Sequence, residues 1–231
     1  MSKKFFEQSI LKKTASIFVS AVFIIALLYV GNGPGATPLA QGQSTSPQTQ
    51  SFSVNLSVLS EITITAPSNV TMLPAIYGIT GGLATGTTSF TVKTNNATGF
   101  NVTAHASTNP ALATGSYNFA DYAPVSPGTP DYAWQSPAAS TTTFGFSVVS
   151  NVADFDFWHN GASCGDTPVI NNYDHCFMGF AGTTPITIMN GDGNTEASGE
   201  VGELFFYAES NAAFLVQDTY AATITVTAAT N

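Results

Sequence analysis

The sequence predicts an all-β protein, an antiparallel β-sandwich with long loops that follows one hydrophobic N-terminal helix. Three observations support this class. Apolar and polar residues alternate over several short stretches, no amphipathic helical pattern follows residue 50, and the stretches are separated by turn-forming residues. A chain of 231 residues that is 44% hydrophobic can bury the core of two packed sheets. An immunoglobulin-like or jelly-roll-like sandwich is therefore the architecture that we expect.

The clearest alternation lies between residues 51 and 65. Its apolar residues occupy even positions, with Leu59 as the exception: Phe52, Val54, Leu56, Val58, Ile62 and Ile64. Odd positions carry Ser, Asn, Glu or Thr. A period of two with one apolar face predicts a long, half-buried strand over this stretch.

Shorter alternating stretches predict the remaining strands. Residues 90–92 and 100–106 flank the turn residues Asn95–Gly99, which favours a hairpin. Further strands are expected at 144–148, 186–188 and 220–226, and the doubly apolar segment 204–208 is expected to be a central strand. Residues 107–142 and 150–185 are predicted to be long loops, which often carry function.

The N-terminus has the order of residues that is typical of an export signal. Lys3, Lys4, Lys12 and Lys13 precede the uncharged, largely apolar run 14–30. We expect residues 1–33 to be a signal peptide or a retained membrane-anchor helix, and residues 34–50, rich in Pro, Gly, Ser, Thr and Gln, to be a flexible stalk. The lysines place the N-terminus inside, so that the domain 51–231 lies outside the cytoplasmic membrane, secreted or at the cell surface.

The composition excludes some partners. Charged residues make up 8% of the chain, arginine is absent, and from residue 36 onward one lysine faces 13 acidic residues, a net charge of −12. Such a surface repels phosphate backbones and anionic lipid headgroups, which argues against a nucleic-acid partner. Cations and neutral ligands such as glycans or cell-wall polymers remain compatible with it.

The only two cysteines, Cys164 and Cys176, lie 12 positions apart in a loop rich in Gly, Asp and Asn. A disulfide is the favoured interpretation, because the exported compartment is oxidising. The alternative is a zinc site that adds His159 and His175, but adjacent His175 and Cys176 lack the usual ligand spacing.

A second loop carries candidate calcium ligands. Oxygen-bearing side chains occupy alternate positions at Asn190, Asp192, Asn194 and Glu196. The EF-hand pattern is not satisfied here, so the alternative is an acidic turn solvated by water. No other cofactor is indicated.

Four aromatic residues of the first long loop form a candidate ligand-binding group: Tyr117, Tyr122, Tyr132 and Trp134. Several prolines lie between them. Flat rings can stack on sugars or peptides, which would make this loop a binding platform. The alternative is a small satellite core beneath the loop.

No catalytic constellation is present, so we expect a protein that is not an enzyme. His105 alternates outward between polar residues, Asp154 and Asp156 lack an orienting partner, and no Gly-x-Ser-x-Gly motif occurs.

Several short motifs carry a resemblance to a known group. They are Thr94–Phe100 (TNNATGF), Phe119–Tyr122 (FADY), Asp131–Trp134 (DYAW), Asn160–Cys164 (NGASC) and Tyr220–Val226 (YAATITV). Over residues 62–231 the chain resembles uncharacterised exported proteins of candidate-phyla, small-genome bacteria, a resemblance that implies export and carries no functional assignment. More remotely, the Thr-rich closing segment is similar to those of WxL-type wall-binding surface proteins, which implies a cell-wall partner, although no Trp-x-Leu motif occurs.

These observations together predict an exported structural or interaction protein. One alternative is an adhesin or glycan-binding module that uses the aromatic loop. Another is a surface-fibre subunit, because a long alternating strand that follows a stalk can complete the sheet of a neighbouring copy.

Overall fold

The computed structural model describes residues 49–165, 176–180 and 182–231. The predicted N-terminal helix and most of the predicted stalk lie outside the described residues. Among the described residues, no helix is long and apolar enough to cross a membrane. The chain divides into two units, 1–56 and 57–231, and every strand belongs to the second unit.

The described part of the chain is almost entirely β. In order, its strands are β1 Ile62–Ile64, β2 Gly82–Thr94, β3 Phe100–Ala106, β4 Ala113–Thr114, β5 Tyr117–Asn118, β6 Thr141–Val149, β7 Ile186–Gly191, β8 Glu200–Asn211 and β9 Ile224–Thr230, with one 3₁₀ turn at Phe155–Phe157. One sheet has the order β1-β2-β8-β6, a second has the order β7-β3-β9, and β4 pairs with β5. All strand pairs are antiparallel, which confirms the all-β class.

The core consists of the inward-facing residues of the two larger sheets. Every second residue of β3 is fully buried, and β2, β6 and β8 add buried aromatic and aliphatic side chains such as Phe90, Phe146 and Leu204. The two-residue period of the sequence thus becomes one buried face on each sheet. The expected strands at β6 and β7 are confirmed, and β9 begins four residues after the predicted Tyr220.

The predicted hairpin between residues 90 and 106 is wrong. β2 belongs to the four-stranded sheet and β3 to the three-stranded sheet, so the connection Asn95–Gly99 crosses from one sheet to the other. Gly99 permits the crossing because its φ is +96° and an added Cβ would collide with the carbonyl oxygen of Gly191.

β8 is the central strand that residues 204–208 predicted, with β2 on one side and β6 on the other. The strand that is buried on both faces, however, is β6, whose residues from Thr143 to Val148 are all buried. The long loops cover the outer face of β6.

The long opening strand over residues 51–65 is reduced to the three residues of β1. β1 pairs with the last residues of β2, with Ile62 opposite Thr94. Residues 57–61 therefore extend beyond the end of β2, where no strand is available to pair with them. The described residues 51–61 belong to no strand.

Loops cover most of the sheet edges. Ala120–Tyr122 and Met178 form backbone hydrogen bonds with β6, and Val152–Asp154 do so with β7. Thr65 and Leu73 bond to the outer edge of β2. Within the described ranges, no backbone group bonds to the outer edge of β9.

Candidate interaction surfaces

The disulfide between Cys164 and Cys176 is confirmed. Both sulfur atoms are used in this bond, and Cys176 is fully buried. His175, a ligand in the alternative zinc site, lies outside the described residues. A disulfide is the form that paired cysteines take in an oxidising compartment.

The disulfide also anchors the segment that follows it. Phe177 exchanges two backbone hydrogen bonds with Asp131, at 2.8 and 3.0 Å, and Met178 exchanges two with Phe146 of β6, at 2.8 and 2.9 Å. The covalent bond therefore holds the end of the second loop against β6 and against the first loop.

Two of the predicted aromatic residues are brought together. The rings of Tyr122 and Trp134 stack with their centroids 4.7 Å apart. Phe177 and Tyr207 of β8 lie 5.4 and 5.3 Å from the Trp134 ring. The indole Nε1 donates a hydrogen bond of 2.6 Å to the Glu209 carboxylate, so the ring is held on three sides and by its polar atom.

A polar network fixes the loop beneath this stack. The Tyr122 hydroxyl donates a 2.7 Å hydrogen bond to Asp131 and accepts one of 3.3 Å from the Gln135 backbone. Burial and the Asp131 carboxylate raise the pKa of Tyr122 far above its usual range, so the hydroxyl remains a proton donor. Asp131 also accepts from the backbone N–H of Val125.

Gly145 of β6 allows the stack to lie close to the sheet. A Cβ at this position would lie 2.7 Å from the Cβ of Tyr122, 2.8 Å from the Met178 carbonyl oxygen and 3.2 Å from the Trp134 ring. Tyr122 and Trp134 thus lie close to the backbone of β6, because Gly145 has no side chain that would separate them from the strand. This arrangement matches the satellite core that the sequence left as an alternative.

The other two predicted aromatic residues lie elsewhere. Tyr132 packs beside His159, with 5.2 Å between ring centroids, and Tyr117 is half-exposed on the short strand β5. The four residues do not form a single flat platform, and sugar or peptide binding by any of them stays a prediction.

The candidate calcium ligands extend from β7 into the following loop. The Asn190 backbone is bonded to Val152, and the Asn194 side-chain amide donates to the Thr195 carbonyl at 3.3 Å. Among the described residues, no group of three or more His, Cys, Asp or Glu side chains could hold a metal ion. Calcium binding by this loop stays a prediction.

Sequence reasoning missed a shallow cleft beside the end of β2. Its volume is about 460 Å³, and its lining includes Glu61, Lys93 and Glu196. Lys93 is the single cation after residue 13. The isolation of Lys93 is visible in the sequence, but no pattern in the sequence indicates that Glu61 and Glu196 line the same cleft.

The residues considered for catalysis lie on two different elements, the 3₁₀ turn and β3. Asp154 accepts a hydrogen bond from the Asp156 backbone and so caps the 3₁₀ turn. Partial burial, and then the Asp154 charge, raise the pKa of Asp156. His105 is half-buried on β3, where its Nδ1 has no hydrogen-bond partner among the described residues, rather than exposed as expected.

Among the described residues, the segment before β1 carries a run of exposed apolar side chains. Its apolar side chains are between 77% and 88% exposed: Phe52, Val54, Leu56, Val58 and Leu59. Isolated apolar residues are common on surfaces, but five within eight positions are not.

No family model matches the sequence, and no curated protein or solved structure matches it either. The function must therefore be argued from the surfaces described above.

Proposed function

We propose that this chain is an exported, extracytoplasmic protein that acts as a structural or interaction protein, and not as an enzyme. The observation that carries the proposal is the disulfide between Cys164 and Cys176. Such bonds persist outside the cytoplasm and are rare inside it. The bond closes a loop whose end is hydrogen-bonded to β6, which suits a permanent structural role better than a transient redox role.

The charge distribution supports the same proposal. Four of the five lysines precede the apolar run 14–30, and the rest of the chain is acidic and poor in charge. This is the order that directs a domain across the cytoplasmic membrane. An adhesin or glycan-binding role has less support, because three rings and a carboxylate already surround Trp134.

Thiol labelling in a bacterial host tests the proposal. The full chain should fractionate outside the cytosol and, labelled in denaturant because Cys176 is fully buried, should carry no thiol that reacts with a maleimide before reduction. A matched variant that lacks residues 1–33 should stay in the cytosol and show two reactive thiols under the same denaturing conditions. Recovery of the full chain in the cytosol, with both thiols free, would contradict export.

A further inference from the structure

One described segment has the alternation of a strand but is not paired as one among the described residues. Residues 51–60 (SFSVNLSVLS) contain no charged residue, and their apolar side chains alternate with Ser and Asn up to Val58. In the structure they belong to no strand, and Val58 is 77% exposed. A strand that could bury one face is left with that face in water.

The edge strand β9 has an inner apolar face that is incompletely covered. The inner-face residues of β9, Ile224, Val226 and Ala228, are only half-buried. Their neighbours on β3, such as Val102 and Ala104, are fully buried. The difference arises because β3 has a strand on each side, whereas β9 has one on a single side.

β9 also lacks the features that usually protect an edge from pairing. It contains no Lys and no Pro, and its register with β3 continues without a bulge from Ile224 to Thr230. Bulges, prolines and lysines are the devices by which edge strands avoid a second chain. The register of β3 with β7 is, by contrast, interrupted between Val102 and Thr103.

Geometry disfavours pairing of this segment with β9 of the same copy. β9 ends beside the connection from β2 to β3, where the Asn231 N–H donates to the Gly99 carbonyl at 3.0 Å. β1 starts at this same end, so the segment before it would have to reverse direction at residues 59–61. The Asn95 side chain holds those residues, because it donates to the Leu59 carbonyl at 2.9 Å and accepts from the Glu61 N–H at 2.7 Å.

Charge favours a second copy of this chain as the partner. The exported part carries a net charge of −12, so two copies repel each other over most of their surfaces. Residues 51–60 and 219–231 contain no charged side chain. Contact between these two segments is a way for copies to meet without placing carboxylates against each other.

We propose that residues 51–58 of one copy add to β9 of a second copy, as a fourth strand of the sheet β7-β3-β9. Phe52, Val54 and Leu56 then cover the half-buried inner face of β9, and Ser53 and Asn55 continue its polar outer face. Each copy donates one strand and accepts another through different surfaces. Such a head-to-tail contact generates a linear assembly unless it closes into a ring.

This inference deepens the proposed interaction role, and its test does not depend on where the cell places the protein. Two differently tagged full-length copies are co-expressed, purified in detergent and mildly oxidised. One copy carries Ser53→Cys, Asn55→Cys or Ser57→Cys, and the other carries Thr227→Cys on the outer face of β9. Both native cysteines are already bonded to each other, so the introduced thiols are the only free ones.

Thr187→Cys on β7 provides a matched control. Thr187 and Thr227 both lie beside Thr103, on the same face of the sheet but at opposite edges. We expect a reducible band that carries both tags for at least one donor position with Thr227→Cys, and loss of that band with Thr187→Cys. Absence of a mixed band at all three positions, an equal band with Thr187→Cys, or a link within one copy alone would overturn the proposal.

A second pair of substitutions tests the role of the apolar face. Phe52→Asp should remove the cross-linked band, because it places a carboxylate against the inner face of the sheet. Ser51→Asp, one residue away on the polar face, should retain it. Equal bands for the two variants would mean that the segment does not pair as an alternating strand, which also overturns the proposal.

Discussion

The two sides of the sandwich differ in how loop segments cover their edge strands. On the side of β6 and β7, loop segments form backbone hydrogen bonds with both edge strands, and the 3₁₀ turn places Phe157 beside Phe146, with 5.8 Å between ring centroids. On the side of β1 and β9, β1 is only three residues long and no described segment bonds to the outer edge of β9. Among the described residues, loops cover the edge strands of the first side, and no loop covers β9 on the second.

This difference changes where an interaction surface should be sought. Long loops rich in aromatic residues and proline are often functional, and the sequence directed attention to them. Here much of their aromatic content packs against β6 and β8, and so these loops act largely as covers for an edge. Within the part of the chain that the structure describes, the edge strand without such a cover is the Thr-rich β9.

Removal of the disulfide should weaken the closed side most. Cys164→Ser combined with Cys176→Ser releases a 12-residue loop that anchors Phe177 and Met178. The expected cost is about 3 kcal/mol in the free energy of unfolding, from the entropy of the opened loop. Urea unfolding of the purified chain measures it, with reduced wild type as the matched control. A loss well under about 1 kcal/mol would mean that the loop covers β6 without the bond.

Gly145→Ala should cost less, because it adds one methyl group between β6 and its cover. The Cβ would contact Tyr122 and the Met178 carbonyl at less than 3 Å. We expect a loss of about 2 kcal/mol in the free energy of unfolding and an altered tryptophan fluorescence spectrum as the Trp134 ring is displaced. Gly193→Ala is the matched control, since nothing lies within 4 Å of its Cβ position. Equal losses for the two variants would show that the aromatic stack does not rest on β6.

The sequence predicted the all-β class, the disulfide and the positions of β6, β7 and β8, because each of these depends on local signals, but it placed the start of the last strand four residues before β9 begins. It failed where the neighbour of a strand mattered. Asn95–Gly99 has the same turn chemistry whether the chain forms a hairpin or crosses between sheets, so the residues alone could not separate the two. Alternation over residues 51–61 shows that a strand is possible, but not that a partner strand lies within reach.

The satellite core was predictable only as an alternative. Aromatic side chains in a loop can bind a ligand or bury themselves, and their composition is the same in both cases. Gly145 allows the rings to bury themselves, because its missing side chain makes room for the stack of Tyr122 and Trp134. It lies 11 positions from Trp134 in the sequence. Contacts of this kind depend on the tertiary structure and leave no periodic signal in the sequence.

Asp121→Asn should have the smallest effect on the closed side, and its sign depends on pH. Asp121 lies within the segment Ala120–Tyr122 that bonds to β6. One of its carboxylate oxygens accepts from the Ala111 N–H at 3.0 Å, and the other is buried without a partner among the described residues. Burial raises its pKa above the ordinary 3.8, and the Ala111 hydrogen bond opposes this only in part.

A raised pKa in the folded state means that the carboxyl favours folding while it is protonated. That contribution is complete below pH 3.8 and is lost as the pH rises through the folded-state value. Asparagine keeps an oxygen that accepts from the Ala111 N–H, and it cannot ionise. Asp121→Asn should therefore raise the Tm relative to wild type, and the increase should be larger at pH 7 than at pH 3. The increase should be smaller than the decrease in Tm that Gly145→Ala causes.

Asp218→Asn is the control of opposite sign, because hydrogen bonds from Thr114 and Thr219 lower the pKa of Asp218. That variant should be less stable than wild type at pH 7, and the difference should shrink as the pH falls below 3.8. If both variants shift the Tm in the same direction at pH 7, burial at Asp121 is not the cause, and the cover of β6 carries no electrostatic cost.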